Sequence, residues 1–125
     1  MEESEYLYSD LTREVIGAAM EVHCNLGCGF LESVYEEAMV VELGLRQIPF
    51  ARQKNLDVYY KKRRIKQFAC DLLVGDVLIV ELKAIRETGP IEIAQLLNYL
   101  KATGKKLGLL FNFGGTSLTY KRLIN

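Results

Sequence analysis

The chain has 125 residues, half of them hydrophobic, and its 16 basic and 16 acidic side chains give a formal net charge of zero. This length predicts a single domain, residues 1–125, with enough chain for a hydrophobic core. A zero net charge argues against tight, non-specific binding of nucleic acid, although it is compatible with a local basic patch. No apolar run is long enough to span a membrane, the N-terminus has no secretory or transit pattern, and the three cysteines have no framework spacing. We therefore expect a cytoplasmic protein with reduced thiols and no membrane contact.

Eight elements are predicted along the chain, in the order α-α-β-β-β-α-β-β. The predicted spans are helices over 10–26 and 31–43, strands over 55–60, 65–74 and 77–84, a helix over 90–103, and strands over 106–113 and 118–123. A strand, a helical crossover and a further strand predict one parallel pair in an otherwise antiparallel sheet. The fold class is therefore α/β, with a mixed, α+β-like sheet. The strand over 106–113 is apolar on both faces and is expected at the buried centre.

The segment over 71–83 carries the strongest functional signal. Two apolar runs meet there at a Gly-Asp turn signal, which predicts a β-hairpin. Its charged residues are Asp71 at the start of the first strand and, two apart on the second, Glu81 and Lys83, which therefore share a face. Charged groups in so apolar a strand pair are costly unless they serve each other or a metal ion. The segment is a candidate site.

The register of this hairpin decides whether the two acids meet. A two-residue turn would pair Asp71 with Val80 and place it on the face away from Glu81. A three-residue turn over 75–77 would pair Asp71 with Glu81, with their Cβ atoms about 5 Å apart. The turn residues do not choose between these registers. The chemistry favours the second, which we predict.

Two carboxylates that close repel each other by roughly 4 kcal/mol at an effective dielectric constant near 20. A divalent cation removes this repulsion, and hard oxygen ligands select Mg²⁺ or Mn²⁺. The backbone carbonyl of Leu82 could complete the coordination, while Lys83 could position an attacking water or stabilise charge on phosphorus. The pattern indicates a hydrolytic site. The alternative is a satisfied salt-bridge network of Asp71, Glu81 and Lys83 near a sheet edge.

The pattern Asp71…Glu81-Leu82-Lys83 resembles the motif of the PD-(D/E)XK nuclease superfamily. That superfamily has a restriction-endonuclease-like core, α-β-β-β-α-β, and the predicted order fits it with one extra N-terminal helix. A second segment resembles the pattern that names the GxxExxY protein family, a branch of the superfamily: Gly29-Phe30-Leu31-Glu32-Ser33-Val34-Tyr35. Residues 21–23, 81–84, 94–100 and 108–113 are also similar to that family, and the resemblance runs from about residue 11 to the C-terminus.

The resemblance implies a Mg²⁺- or Mn²⁺-dependent nuclease that acts on DNA or RNA. It implies metal ligands at Asp71, Glu81, the Leu82 carbonyl and Glu32, and catalytic roles for Asp71, Glu81, Lys83, Glu32 and Gln95. Glu36, one helical turn after Glu32, is the alternative helix acid. Tyr35 is a possible supporting residue that lines the cleft or packs beneath it.

Two positions depart from the family pattern, because Ala69 stands where an arginine is common and Glu92 where a histidine is common. Both departures bear on substrate affinity. The alternative function is therefore a catalytically silent interaction module on a nuclease scaffold. A homodimer whose clefts act together is a further possibility.

Two other clusters have ordinary explanations. The basic run Lys61, Lys62, Arg63 and Arg64 predicts a solvated hairpin turn; its alternative role is contact with nucleic-acid phosphates, without aromatic interleaving for base stacking. His23, Cys24 and Cys28 lie close together but lack the fourth ligand of a structural zinc site. We expect His23 to pack or to form a hydrogen bond near the end of its helix.

Overall fold

The computed structural model describes residues 8–125. Its elements follow the predicted order: α1 Ser9–Leu26, α2 Glu32–Leu45, β1 Phe50–Tyr60, β2 Arg63–Val74, β3 Leu78–Lys83, α3 Pro90–Thr103, β4 Leu107–Asn112 and β5 Thr119–Ile124. Two boundaries differ clearly from the prediction. Helix α2 continues through Gly44 to Leu45, and β1 begins five residues early, at Phe50. The early part of β1 is polar and exposed, so its strand structure comes from pairing with β2 and not from hydrophobic alternation.

The five strands form one sheet in the order β1-β2-β3-β4-β5. Strands β3 and β4 are parallel and are joined by α3, while the other three pairs are antiparallel. The prediction of one parallel pair is confirmed, and so is the α-β-β-β-α-β core preceded by one helix. Every residue of β4 is buried, as expected for a central strand.

The sheet separates two hydrophobic clusters. On one face α1 and α2 pack against the sheet through residues such as Val15, Tyr35 and Met39. On the other face α3 packs through Leu96 and Leu100. Within residues 8–125, no helix is long and apolar enough to cross a membrane.

Strand β2 changes the face that it presents at Asp71. Leu72 belongs to the cluster under α1 and α2, whereas Cys70, two residues earlier, belongs to the cluster under α3. Residues two apart on a regular strand share a face. The neighbouring strand is irregular at the same level, because Gln53 has a positive φ of 48°. The regular pairing of β2 with β3 also ends at this point, where the candidate site lies.

Candidate metal centre

The hairpin between β2 and β3 has the three-residue turn, so Asp71 falls opposite Glu81. Its paired residues are Leu72 with Val80, Leu73 with Ile79 and Val74 with Leu78. Continuing this register by one residue brings Asp71 to Glu81. The predicted register is confirmed. The two-residue alternative, which would have placed the acids on opposite faces, is wrong.

The two carboxylates take over the hydrogen bonding where the backbone ladder ends. The Asp71 N–H donates to Glu81 Oε2 at 3.2 Å, and the Leu82 N–H donates to Asp71 Oδ2 at 2.7 Å. Each acid is thus held by the backbone of the opposite strand. Because the N–H and C=O of one strand residue point to the same side, the Leu82 carbonyl also points towards β2.

Burial dominates the electrostatics of the pair. The pKa of Glu81 is raised to about 7, mainly by burial and then by the charge of Asp71, against the opposing effects of the Asp71 N–H and Lys83. Burial also raises the pKa of Asp71, while the Leu82 N–H lowers it. Two partly buried carboxylates without a compensating cation produce this pattern.

Lys83 does not neutralise the acids. Its charge lowers the pKa of Glu81, but over residues 8–125 it makes no salt bridge within 4.0 Å to Asp71 or Glu81. The salt-bridge network considered as an alternative therefore does not form in the described part of the chain. Within residues 8–125, the charge of Lys83 acts on the pair only at a distance.

Helix α2 brings two further acids towards the pair. Glu32 begins the helix, is exposed, and raises the pKa of both Asp71 and Glu81 through its charge. Glu36 is connected more directly, because Gln53 Nε2 donates to Glu36 Oε1 at 2.9 Å and lies 3.4 Å from Asp71 Oδ1. The structure thus links Glu36 to Asp71 by hydrogen bonds, whereas Glu32 acts on the pair only through its charge.

Sequence reasoning missed Gln53 and Arg52. Arg52 binds Glu36 Oε2 through Nε and Nη2, at 3.2 and 3.1 Å, and also contacts Glu37 at 2.7 Å. Both residues lie in the polar start of β1, where neither periodicity nor a motif marks a strand. Together they connect β1 to α2 beside Asp71.

Helix α3 approaches from the other side through Tyr99. The charges of Glu81 and Asp71 add to burial in raising the pKa of Tyr99, and a side-chain hydrogen bond from Gln95 opposes them. The Tyr99 ring stacks on Phe68 with a centroid distance of 3.8 Å. Gln95 itself is exposed and is connected to the site through Tyr99, a residue that sequence reasoning did not single out.

Tyr35 is buried in the core under α1 and α2 and does not line a cleft. It is fully buried, its hydroxyl donates to the Gly27 carbonyl at 2.6 Å and accepts from the Phe30 N–H at 3.3 Å, and its ring stacks on Phe113. His23 follows its predicted role, since Nε2 forms a 3.0 Å hydrogen bond with the Gly115 carbonyl. Tyr35 thus fixes the loop between α1 and α2, and His23 ties α1 to the loop between β4 and β5.

The residues at the pair suit a hard divalent cation. The two carboxylates lie close together, and their oxygens, like that of the Leu82 carbonyl, are donors of the kind that Mg²⁺ and Mn²⁺ prefer. The described residues contain no group of three or more His, Cys, Asp or Glu side chains arranged to hold a metal ion. The protein therefore supplies two acids at close range, and water or substrate oxygens would complete the coordination of Mg²⁺.

A family model described as the PD-(D/E)XK nuclease superfamily matches residues 9–123. The chain belongs to the PD-(D/E)XK nuclease superfamily. A search of curated proteins and a search of solved structures each found no match. The mixed five-stranded sheet with its three helices is consistent with the restriction-endonuclease-like fold. PD-(D/E)XK nucleases typically use divalent metal ions, which agrees in kind with the oxygen donors found between β2 and β3.

Proposed function

We propose that this chain is a Mg²⁺- or Mn²⁺-dependent phosphodiester hydrolase that acts on nucleic acid. The observation that carries the proposal is the placement of Asp71 opposite Glu81, with both pKa values raised and no salt bridge to Lys83 in the described part of the chain. A buried like-charge pair is destabilising unless something binds it. Membership of a nuclease superfamily supplies the class of reaction.

In this proposal Asp71, Glu81 and the Leu82 carbonyl hold the ion, and Glu32 is a further ligand directly or through water. The bound ion would polarise a phosphoryl oxygen and lower the pKa of a coordinated water. Lys83 extends from the same strand face as Glu81 and orients the attacking water or stabilises charge that develops on phosphorus. Glu36, acting through Gln53, positions Asp71, and Gln95 contacts substrate beside Tyr99.

We further propose that the chain lies in the GxxExxY branch. Three features support this. Gly29 has a φ of 109°, which favours glycine, Glu32 is the first residue of α2 and influences both acids, and Tyr35 ties its hydroxyl to the loop before α2. Each named position of the pattern thus has a physical role here.

A cytoplasmic location and a homodimer remain predictions, the latter to be checked by light scattering.

The test is cleavage of single- and double-stranded DNA and RNA with Mg²⁺ or Mn²⁺. Asp71→Asn, Glu81→Gln and Lys83→Met are nearly isosteric changes, and each is expected to lower the rate by about 100-fold or more. Asp10→Asn is the matched control, since Asp10 is exposed at the start of α1. Equal cleavage by wild type and all three site variants would reveal a contaminating nuclease and contradict the proposal.

The second candidate is a nuclease-fold interaction module without catalysis. It is favoured by the lack of a three-ligand group within residues 8–125 and by Glu92, which accepts from the Gly89 N–H at 2.6 Å and so caps α3 where the family commonly has histidine. Calorimetric titration separates the candidates. Uptake of Mg²⁺ or Mn²⁺ that Glu81→Gln abolishes supports the hydrolase. No uptake by wild type supports the module.

A further inference from the structure

Strands β1 and β2 extend well beyond the rest of the sheet. They pair with each other as far as Tyr60 and Arg63, whereas β2 pairs with β3 only through residues 72–74. Residues 55–69 therefore form a two-stranded ribbon, here called the hairpin arm. Its base is fixed to the domain by the buried Leu56 and by the stack of Phe68 on Tyr99.

The hairpin arm concentrates positive charge in a protein whose net charge is zero. It holds five basic side chains and one acid, for a net charge of +4, so the remainder of the chain carries −4. The basic residues are Lys61, Lys62, Arg63, Arg64 and Lys66. Asp57 lies 3.6 Å from Arg64, and over residues 8–125 no other basic side chain of the arm forms a salt bridge.

Aromatic side chains lie next to this charge, although none interrupts the basic run itself. Tyr59 and Tyr60 directly precede the run and are about 60 % exposed, at 59 % and 61 %. Lys61 Nζ lies 5.5 Å from the centroid of the Tyr60 ring. Ile65 is the extra residue of a β-bulge and is also exposed, at 60 %. The arm thus exposes apolar and cationic groups together.

At the tip of the arm, two lysines occupy a backbone conformation that is unfavourable for lysine. Lys61 and Lys62 have φ values of 50° and 68°, the left-handed conformation required at both central positions of a two-residue type I′ turn. Asn-Gly is favoured at such positions, and a lysine there is strained. A binding role for the two lysine charges would explain why lysine stands at these strained positions.

We propose that the hairpin arm binds in the major groove of double-stranded DNA, an inference that rests on the proposed nuclease function. A two-stranded β-ribbon fits the groove of B-form DNA, which is about 12 Å wide, whereas the major groove of A-form RNA is too narrow. The basic side chains would contact phosphates on either side, and the exposed tyrosines would contact base edges. Eight residues separate Arg63 from Asp71, or about 26 Å at about 3.3 Å each. Because each base pair of B-form DNA spans about 3.4 Å, the tip of the arm would lie about eight base pairs from the reacting phosphate.

The test uses a variant that removes two positive charges and at the same time relieves the backbone strain in the turn. Lys61→Asn with Lys62→Gly supplies the favoured turn residues, so its melting temperature should equal or exceed that of wild type. Lys101→Asn with Lys121→Asn is the control, because it removes the same charge from exposed residues outside the arm. Binding of a labelled duplex of about 24 base pairs is measured by fluorescence anisotropy in EDTA over a range of salt concentrations, so that no cleavage occurs.

The arm variant should bind the duplex at least about tenfold more weakly than wild type. The slope of the logarithm of its binding constant against the logarithm of salt concentration should be smaller in magnitude by about 2. The control should bind nearly as wild type does. Four outcomes would each overturn the inference. The first two are that the arm variant binds the duplex as tightly as wild type, or that the control loses as much affinity as the arm variant. The other two are that wild type does not bind duplex DNA, or that it binds RNA or single strands more tightly than duplex DNA. Binding through the arm without cleavage under Mg²⁺ contradicts the nuclease proposal and not the arm. Unimpaired DNA cleavage by the arm variant contradicts the arm alone.

Discussion

Asp71 and Glu81 face each other where the β2–β3 ladder ends, and each carboxylate accepts a hydrogen bond from the backbone of the opposite strand. The strands are thus joined at this level by side chains and not by paired backbone groups. The arrangement keeps two negative charges close together and partly buried, which raises the pKa of both acids. This pair is where we propose that a cation binds.

The first prediction concerns stability and pH. The pKa of Glu81 is raised from 4.5 to about 7, so between these values the folded state binds more protons than the unfolded state. The free energy of unfolding therefore falls as pH rises through this window, by about 3 kcal/mol from this group, and stays low above it. Glu81→Gln should be more stable than wild type by that amount at pH 8 and about equal to it near pH 4.5, as measured by urea unfolding.

A matched Glu87→Gln variant, altered at an exposed loop position, should track wild type at both pH values. Mg²⁺ should narrow the gap at pH 8, because it stabilises only the protein with both carboxylates. A Glu81→Gln stability difference that is independent of pH would show that Glu81 is not perturbed in the folded state.

The second prediction distinguishes the two acids of α2. Glu36 is already engaged by Arg52 and Gln53, whereas Glu32 is exposed. Glu32→Ala should weaken Mn²⁺ binding by about tenfold and leave stability unchanged, since only an outer ligand is lost. Glu36→Ala should lower the melting temperature, because it frees Arg52 and Gln53. Calorimetric titration measures the change in Mn²⁺ binding, and thermal unfolding measures the change in stability. Loss of Mn²⁺ binding in Glu36→Ala but not in Glu32→Ala would identify Glu36 as the ligand.

The third prediction is that Tyr35 acts in folding and not in catalysis. Tyr35→Phe removes the hydroxyl that bonds the Gly27 carbonyl and the Phe30 N–H, and should lower the free energy of unfolding by about 1–2 kcal/mol. The nuclease rate of the folded variant should not change. Tyr120→Phe, on the exposed strand β5, serves as the control. A fall in rate without a fall in stability would place Tyr35 in the catalytic machinery.

The fourth prediction concerns the thiols. Cys24 and Cys28 are exposed, whereas Cys70 is buried and its pKa is raised to about 11 by burial and by the charges of Glu81 and Asp71. Ellman's reagent at pH 8 should therefore modify two thiols quickly in the native protein and three in denaturant. Rapid modification of all three in the native state would mean that β2 is not packed as described beside Asp71.

The fold could be predicted from the sequence because its central elements have strong local signals. The apolar run of β4 and the proline at the start of α3 define the buried strand and the crossover helix without tertiary information. The polar start of β1 has no such signal, since its strand structure depends on its partner β2. Helix α2 likewise extends past Gly44, where a glycine on its own predicted the end.

The candidate site could be predicted only in part. The strand acids and Lys83 lie on one predicted hairpin of 13 residues, and the divalent cation that two facing acids could bind favoured the register that the structure has. Gln53 and Tyr99 could not be identified, because each approaches Asp71 or Glu81 from a distant segment through long-range packing. The aromatic character of the hairpin arm was visible in the sequence but was overlooked at Tyr59 and Tyr60, which lie just outside the basic run.

The most direct test of the central claim is anomalous scattering from a crystal soaked in Mn²⁺. We expect a single strong peak within coordination distance of one carboxylate oxygen from Asp71 and one from Glu81, and the loss of that peak in Glu81→Gln. Full occupancy at another location, or no peak between these carboxylates at a Mn²⁺ concentration that supports cleavage, would contradict it.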